Sequence, residues 1–332
     1  QHCLLGQLTA FMSRLDEVDA ARGLRSGAIS SVPVELVRSG VQVTLVQSAE
    51  KAPPEVEDLE LEVIDLSDFS PEEKEERRDR IYRDDSRTLF DLSKAPLIRV
   101  KLIRLAEEHH ELLLTVHHLI CDGWSTNILA YDLSRFYTHG CEGSALDLED
   151  PMPLQEYQSY EKEHRKSKEW RETKEFWENQ YATVPPPVDL PLDRPRPPLR
   201  TYKGNRQHMI IDRSIGSKIK SYATEQRCTL FSVLLAAFEV LLNRLSHGTD
   251  LVVGIPSAGQ ALLGANNLIA HCVNYLPFRC QVDPKQNFGS FVSKVKGEML
   301  RVAEHQNFTF GTLLRTIKVE RDPSRPTLVS VD

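Results

Sequence analysis

Two adjacent histidines, His117 and His118, precede an Asp-Gly step at Asp122 and Gly123 in the stretch TVHHLICDGWST. Histidine can act as a base near neutral pH. Neighbours on a strand face opposite ways, so one ring would point into a cleft, and the sequence does not say which. Asp122 could orient an imidazole, or pair with a buried arginine and brace the turn. Gly123 would allow the backbone to approach a ligand closely, and amides at the start of a following helix could stabilise an oxyanion.

Other interpretations of these residues use the same spacing. Two histidines at a sheet edge beside a capping aspartate are also typical of ordinary structure, and the spacing alone does not separate the two cases. No third ligand stands at a spacing typical of a metal site, which argues against a bound metal. The stretch GIPSAG at residues 254–259 lacks the GxSxG spacing of a hydrolase nucleophile.

The composition limits the class of protein. The chain has 332 residues, enough for two domains with their own cores. The formal net charge is −7, from 41 basic and 48 acidic residues, which argues against a nucleic-acid partner. Six cysteines at irregular spacings, with no CxxC pair, are typical of reduced thiols in a cytoplasmic protein. The longest apolar run, residues 230–242, is too short to cross a bilayer and predicts a buried core helix.

The first part of the chain contains a strand signal and a helix start. Residues 41–47 are rich in β-branched side chains and predict a strand. Ser70, Pro71 and Glu73 have the pattern of an N-cap, a proline in the first turn and a capping-box glutamate. This pattern predicts a helix with a solvated, charged face.

The histidine motif follows a predicted hairpin. Apolar and basic residues alternate over residues 96–105, which predicts a half-buried strand. The polar stretch AEEHH predicts a solvated loop, and residues 111–120 predict a second strand that carries both motif histidines. After the Asp-Gly step we expect a helix that Ser125 or Thr126 caps and Gly140 ends.

The second half alternates helices and strands. Residues 154–182 are polar and predict a helical stretch, whereas 184–200 hold seven prolines and predict a linker or extended crossover. Periodicity predicts a helix, two strands and a helix at 229–244, 250–256, 274–282 and 288–306. The final apolar run looks like a strand that is cut short. The pattern predicts an α/β fold with mixed sheets.

The residues from His117 to Gly123 match the pattern HHxxxDG. This pattern resembles the signature of the condensation domains of nonribosomal peptide synthetases, in the chloramphenicol acetyltransferase-like superfamily. Further blocks resemble that family in its order: FDLSKAPLIRVKLIRL (90–105), LPLDRPRPP (190–198), the helix-strand unit at 228–260, IAHCVNYLPFR (269–279), HQNFTF (305–310) and RDPSRPTL (321–328). Together the blocks cover roughly residues 55–332.

The chain departs from the family pattern at both ends. The opening helix motif and the RHExLRTxF block of the family should precede residue 45, and ARGLRSG at 21–27 is at most a trace of them. In the family, the arginine of that block is thought to pair with the motif aspartate, so the partner of Asp122 stays open. The chain also stops before the last strands and helix of the family. We therefore expect a truncated copy or a faulty gene model.

The resemblance implies two acetyltransferase-like lobes in a V-shaped pseudo-dimer, with the active site between them. We expect the N-terminal lobe over residues 1–183, with 1–45 unassigned. A proline-rich crossover over 184–200 would lead to a C-terminal lobe over 201–332 that is incomplete at its end.

The resemblance also implies residue roles. His118 would face the channel, where it orients the attacking amine or takes its proton. Asp122 would support the turn, and Gly123 would line the channel with its amide near the oxyanion. The other implied channel residues are His117, Trp124, Ser125, His271 and Asn274. At His271 the family usually has a bulky apolar or aromatic residue, which favours pocket shaping; Asn274 is equally compatible with an amide that stabilises a turn.

The implied activity is amide formation between a donor acyl or peptidyl thioester and the amine of an acceptor aminoacyl thioester. Both substrates would be carried on phosphopantetheine arms, with no cofactor bound directly. The implied partners are donor and acceptor peptidyl carrier proteins and an adjacent adenylation domain in a larger synthetase, with no nucleic acid and no membrane. Alternatives are an epimerisation domain, which tends to lack the Gly-Trp-Ser found at 123–125, an acyltransferase with a free acceptor, and a non-catalytic module that recruits partners.

Overall fold

The computed structural model describes Leu59 and residues 61–143, 148, 151–201, 204–262 and 264–332. The strand predicted at 41–47 and the trace at 21–27 lie outside these residues. Contacts divide the chain into two units. The first takes the described residues of Gln1–Gln158 and Leu263–Cys272, and the second takes those of Ser159–Leu262 and Val273–Asp332. Each unit mixes helices with strands, as the predicted α/β class requires.

A three-stranded sheet lies in the first unit. Its strands, in spatial order, are β1 (Leu61–Asp65), β2 (Ile98–Ala106) and β3 (His109–Val116). Strand β1 runs parallel to β2, and β2 runs antiparallel to β3. Ile98, Val100 and Leu102 are buried at every second position of β2, so the predicted alternation and hairpin are confirmed over the first part of the strand. Further along, Ile103 and Leu105 on the other face are buried as well, so β2 is not half-buried throughout.

The hairpin turn is tighter than the sequence predicts. Only Glu107 and Glu108 form the turn, so His109 and His110 lie in strand β3 and not in a loop. The reason is backbone pairing, because the antiparallel register continues through His110 opposite Arg104 to His109 opposite Ala106, with an irregularity between these pairs. The predicted five-residue loop is therefore wrong at its second half.

Helix α1 (Pro71–Arg87) begins as predicted. The Ser70 hydroxyl accepts from the Glu73 N–H at 3.3 Å, and the Glu73 carboxylate accepts from the Ser70 N–H at 3.1 Å. These hydrogen bonds hold the pKa of Glu73 below its usual value. At the other end of the helix, Arg99 of β2 pairs with the buried Asp85 at 3.2 Å, which ties the helix to the sheet.

Helix α2 (Gly123–Glu142) follows the histidine motif. Leu129 and Phe136 are buried on its inner face, as the apolar pattern predicts. The helix continues through Gly140 and ends at Gly143, whose φ of 64° is left-handed. Because glycine adopts this conformation without strain, the later glycine is the one that ends the helix.

A two-stranded antiparallel sheet and most of the helices form the second unit. The remaining elements are α3 (Leu154–His164, which spans the division between the units), α4 (Lys168–Gln180), α5 (Arg213–Glu225), α6 (Leu230–Ser246), β4 (Asp250–Ala258), α7 (Gly259–Leu262), β5 (Val273–Gln281), α8 (Phe288–Glu304) and α9 (Phe310–Thr316). The stretch predicted as helical over 154–182 is thus two helices. They separate where the Ser167 hydroxyl accepts from the Trp170 N–H at 3.0 Å and caps α4.

The two contact units differ from the lobes that the sequence predicts. Helix α4 belongs to the second unit. Trp177 of this helix and Tyr181, directly after it, enter the hydrophobic core of that unit. The later segment 264–272 instead belongs to the first unit. Residues 184–200 contain no helix or strand, in agreement with their proline content. The lobe boundaries themselves stay a prediction.

The final apolar run is not a strand in the structure. Residues 326–332 have no strand assignment. A single backbone bond, from the Gly254 N–H to the Val331 carbonyl at 2.8 Å, joins the run to β4, and Val329 is buried. One such bond does not make a ladder, which is why the predicted strand is absent from this part of the chain.

Helix α6 is the buried helix that the apolar run predicts. Its buried apolar side chains are Val233, Leu235, Ala236 and Leu242. Within the described part of the chain, no single helix has the length and apolar character to cross a membrane. Helices α5 and α6 meet that criterion only when they are taken together, across a bend of 106°.

Glu239 is the unusual residue of α6. Its side chain is 0% exposed, and neither carboxylate oxygen has a hydrogen-bond partner among the described residues. Burial raises the pKa of Glu239 to about 8. The folded chain therefore holds this carboxyl protonated at pH 7, whereas the unfolded chain exposes it to water as a carboxylate.

Glu239→Gln should stabilise the second unit by an amount that grows as the pH rises. Because the pKa of Glu239 is raised on folding, the native chain keeps its full free energy of unfolding below about pH 4.5. It loses part of that free energy as the pH rises from there towards about 8. The difference in the free energy of unfolding between variant and native chain should be roughly 3 kcal/mol larger at pH 7 than at pH 4.5. We call this difference the gap.

Urea unfolding in a Trp124→Phe background measures this gap, because the other two of the three tryptophans, Trp170 and Trp177, lie in the second unit. Glu304→Gln, at an exposed position of α8, is the matched control. A gap for Glu239→Gln that is the same at pH 5 and pH 7.5 would contradict the buried, protonated state.

Candidate functional site

The two motif histidines lie in a turn, not on strand β3. The strand ends at Val116, after which the His117 N–H still donates to the Leu97 carbonyl at 3.0 Å. The chain then turns back, and the Ile120 N–H donates to the His117 carbonyl at 3.1 Å. The sequence-based argument from opposite strand faces therefore does not apply, and hydrogen bonds within the turn orient each ring.

His118 is exposed and is fixed through one ring nitrogen. Its Nδ1 lies 2.7 Å from the Cys121 carbonyl oxygen. Because a carbonyl oxygen only accepts, this contact favours the tautomer with the proton on Nδ1, which leaves the lone pair of the neutral ring at Nε2. This arrangement gives His118 an anchored ring and a basic nitrogen that is free of the turn.

His117 has the opposite tautomer. Its Nδ1 accepts from the Leu119 N–H at 3.0 Å, so the proton of the neutral ring is on Nε2. The ring meets Phe90 edge-on, with centroids 5.8 Å apart. Partial burial lowers the pKa of His117, and the neighbouring His118 lowers it further. These contacts give His117 a packing position behind the turn; its predicted place in the channel stays a prediction.

Asp122 caps helix α2 and binds a distant backbone amide. One carboxylate oxygen, Oδ1, accepts from the Ser125 N–H at 2.9 Å, so the cap is Asp122 and not Ser125 or Thr126 as predicted. The other oxygen, Oδ2, accepts from the Cys272 N–H at 2.9 Å. The side chain is 3% exposed, so both bonds form away from water. Asp122 therefore holds the start of α2 and the segment 264–272 together.

Ser125 joins the same two segments. Its hydroxyl lies 2.9 Å from Asp122 Oδ1 and 2.8 Å from the Ala270 carbonyl, and it accepts from the Ala270 N–H at 3.0 Å. Ser125 cannot cap the helix because its hydroxyl is committed to these groups. Since its side chain is 0% exposed, we assign Ser125 to bracing this segment and not to the predicted channel wall.

Trp124 of α2 and His118 of the turn also contact the later segment. The Trp124 indole N–H donates to the Asn266 carbonyl at 3.0 Å. His271 Nδ1 lies 3.2 Å from His118 Nδ1, and the two rings meet edge-on with centroids 4.8 Å apart. Ala270, next to His271, is buried together with Ala265 and Leu268. These contacts place His271 against the motif ring.

Asn274 belongs to the second unit, where its side-chain amide forms hydrogen bonds with backbone groups. Its amide NH₂ donates to the Gln306 carbonyl at 2.7 Å and to the Phe308 carbonyl at 3.0 Å. Its amide oxygen accepts from the Phe310 N–H at 3.1 Å. These bonds fasten β5 to the segment before α9 and support the structural alternative for Asn274.

Other chemistry at the site is limited by burial. The Cys121 thiol is 5% exposed, and burial raises its pKa to about 11, so it is not a thiolate nucleophile near neutral pH. Among the described residues, no group of three histidine, cysteine or acidic side chains could hold a metal ion.

Sequence reasoning missed the residues that partner the motif. Asn266, Ala270 and Cys272 contribute backbone groups, and they lie 142 to 150 residues away from their partners along the chain. Backbone groups leave no residue-type signal. The one available signal was the family-like block at 269–279, which marks this segment without naming its contacts.

Asp122→Asn should destabilise the first unit more than Asp212→Asn destabilises the second. An asparagine retains one acceptor but, whichever way the amide is turned, it directs an NH₂ at the N–H of Ser125 or Cys272. We expect a cost of about 1–3 kcal/mol, the range for a buried group that loses its partner.

Asp212 is the matched control because it also caps a helix through an acceptor bond, to the Ser214 N–H at 2.8 Å, and is exposed. Asparagine caps as well as aspartate at such positions. Calorimetric unfolding measures both variants. Equal shifts of the unfolding midpoint would contradict the assignment of Asp122.

Asn274→Asp should unfold the second unit at a lower temperature. At neutral pH it replaces two N–H donors by acceptors that face the carbonyls of Gln306 and Phe308, at a cost of about 1–3 kcal/mol for each group that loses its partner. Asn287→Asp is the control, since Asn287 caps α8 through an acceptor bond that aspartate also makes. Thermal unfolding followed by circular dichroism measures both, and unchanged unfolding of Asn274→Asp would overturn the structural assignment.

Comparisons with known proteins agree with the pattern of the motif. The chain is 34% identical over 236 residues to gramicidin S synthase 2 of Brevibacillus brevis, a match that covers 71% of this chain and 5% of that protein. It is 35% identical over 242 residues to surfactin synthase subunit 2 of Bacillus subtilis strain 168, a match that covers 73% of this chain and 6% of that protein. The chain thus spans about a twentieth of the length of these relatives.

Structural comparison gives the same fold. A four-domain nonribosomal peptide synthetase, holo-AB3403 bound to AMP and glycine, matches with a TM-score of 0.71 and 24% identity, over 82% of this chain and 20% of that chain. At this identity the match speaks for the fold alone. The sequence profile described as "Condensation domain" matches residues 42–332. The chain therefore belongs to the condensation domain family of nonribosomal peptide synthetases.

Proposed function

We propose that the chain catalyses amide formation between two carrier-bound thioesters. The family supports peptide-bond formation in general. The specific proposal is that the amine of an acceptor aminoacyl thioester attacks the carbonyl of a donor acyl or peptidyl thioester. The observation that carries it is the anchored His118, whose Nδ1 is held by the Cys121 carbonyl while its ring is exposed.

The reaction does not require a strong base. The α-amine of a chain whose carboxyl is acylated has a pKa of about 7.7–8.0, so about a tenth of such an amine is already neutral at pH 7. The larger barrier is to hold two tethered reactants in register, which contributes up to roughly 7–11 kcal/mol in well-oriented systems. A histidine that orients the amine and accepts one proton is sufficient for this chemistry.

In this proposal, His118 works through Nε2. The lone pair of Nε2 accepts a hydrogen bond from the acceptor amine and takes its proton as the C–N bond forms. The ring then carries a positive charge, and its Nδ1–H strengthens the bond to the Cys121 carbonyl. The proton can pass from Nε2 to the departing thiolate, which returns the neutral ring and releases the donor arm as a thiol.

The N-terminus of α2 offers donors for the tetrahedral oxyanion. Asp122 occupies the N–H of Ser125, and its carbonyl occupies the N–H of Thr126 at 2.9 Å. The N–H groups of Gly123 and Trp124 have no acceptor within the helix. Helix N-termini favour negative charge, so these amides suit a developing oxyanion. We propose this place for the Gly123 amide.

The partners in the proposal follow from the tethered substrates. They are donor and acceptor peptidyl carrier proteins, each presenting a substrate on a phosphopantetheine arm, and an adjacent adenylation domain within a larger cytoplasmic synthetase. No cofactor is proposed beyond these arms. Relatives that are many times longer than this chain support the larger context.

His118→Ala should lower amide formation about 10²-fold, the lower end of the range for general acid–base catalysis. The assay supplies two loaded carrier proteins and detects acceptor-bound product by intact mass. The matched control is His109→Ala, an exposed histidine on strand β3 outside the turn. Equal product from both variants would remove His118 from the mechanism and leave positioning as the source of rate.

Two further arms of the assay separate the alternative activities. A free amine in place of the loaded acceptor tests for an acyltransferase with a free acceptor. The donor carrier alone in D₂O tests for epimerisation, since deuterium would enter the α-carbon. Product in either arm, without product from two loaded carriers, would contradict the proposal. Carrier binding with no turnover in any arm would favour the non-catalytic module.

A further inference from the structure

The contact between His271 and His118 has no part in the activity proposed so far. The two Nδ1 atoms are 3.2 Å apart, and the ring planes meet at 83°. The backbone holds His271 from both sides, since Ala270 binds Ser125 and Cys272 binds Asp122. Its ring therefore approaches the motif histidine from a braced position.

The proton positions of the pair follow from the Cys121 carbonyl. That oxygen, 2.7 Å from His118 Nδ1, favours the tautomer with the proton on His118 Nδ1, because a carbonyl oxygen only accepts. Two ring nitrogens at 3.2 Å repel each other if both carry protons, so His271 Nδ1 must present its lone pair. The proton of a neutral His271 is then on its Nε2. The His118 Nδ1–H thus has a carbonyl and an imidazole lone pair as acceptors.

We infer that His271 is a positioning residue, which holds His118 in the tautomer with a free Nε2 by accepting from its Nδ1–H. The inference rests on the proposed function of His118. The alternative His118 tautomer, with its proton on Nε2, would place the Nδ1 lone pair of His118 against the Cys121 carbonyl. It would also face the lone pair of His271 Nδ1 unless His271 moved its own proton from Nε2 to Nδ1. His271 therefore adds to the free-energy cost of the wrong His118 tautomer and restricts rotation of the His118 ring. This role differs from the pocket shaping that the family resemblance implies for His271.

Desolvation of the ring and the neighbouring His118 favour a neutral His271. Partial burial lowers the pKa of His271, and His118 in the turn lowers it further. Asp122 at the start of α2 acts in the opposite direction, and so does a hydrogen bond between the His271 ring and the backbone of His118. With its pKa lowered, His271 keeps its lone pair at neutral pH and remains able to accept from His118.

Two variants at this position test the inference. His271→Phe keeps an aromatic ring of similar size and removes the acceptor. His271→Asn restores an acceptor, because the amide oxygen is bonded to Cγ as Nδ1 is in histidine. The two changes separate ring packing from hydrogen bonding, and circular dichroism identifies a variant that does not fold.

The first readout is the pair of ¹⁵N ring shifts of His118, assigned by comparison with His118→Ala. The native chain should show the proton on Nδ1. His271→Phe should show an added fraction of the tautomer with the proton on Nε2, because one of the two acceptors that favour Nδ1–H is lost while the Cys121 carbonyl remains. His271→Asn should resemble the native chain. Native-like shifts in His271→Phe would overturn the inference. If His271→Phe does not fold, the native chain alone still tests the inference. Ring shifts that place the proton of native His118 on Nε2 would overturn it.

The second readout is amide product at neutral pH. His271→Phe should lower the maximal rate about threefold to tenfold, the effect of one neutral hydrogen bond, with the apparent KM for the loaded carriers unchanged. His271→Asn should recover most of the rate. Loss in both variants would reduce His271 to packing. The ring shifts test the His118–His271 pair even if His118→Ala leaves the product unchanged, so failure of the inference and failure of the proposed function are distinguishable.

Discussion

The buried carboxylate of Asp122 is the contact on which the candidate site depends. One oxygen caps helix α2 at Ser125, and the other holds the amide of Cys272, 150 residues further along the chain. Because the carboxylate is 3% exposed, water competes little for either bond. The cap fixes where α2 starts and therefore where the histidine turn ends. The second bond fixes the segment that carries His271 against that turn.

Within this frame the two adjacent histidines become different groups. His117 accepts at Nδ1 and packs on Phe90, whereas His118 donates at Nδ1 to the Cys121 carbonyl and keeps Nε2 free. The chemical difference does not come from the side chains, which are the same. It comes from the backbone group that each ring meets in the turn, and His271 adds a second acceptor at one of them.

The sequence was informative where the cause is local. The capping box at Ser70 and the alternation in β2 depend on neighbours within a few residues, and both are confirmed. It was wrong about the cap of α2, because Ser125 is committed to Ala270, and about the histidine strand, because the turn begins at the carbonyl of His117. The resemblance singled out His118 and Asp122, but the backbone partners of Asp122 at long range leave no pattern in the residue types. The full burial of Glu239 was likewise not predicted, because nothing in the residue types of α6 distinguishes a buried glutamate from an exposed one.

The most direct measurement of the central claim is the hydrogen-exchange rate of the Cys272 backbone amide in the native chain, followed by NMR. If the Asp122 carboxylate binds this amide, its exchange should be slowed far below that of an open segment and should track the unfolding of the first unit. Exchange at the rate of an unstructured peptide, with the first unit still folded, would contradict the account, since nothing would then hold His271 against His118.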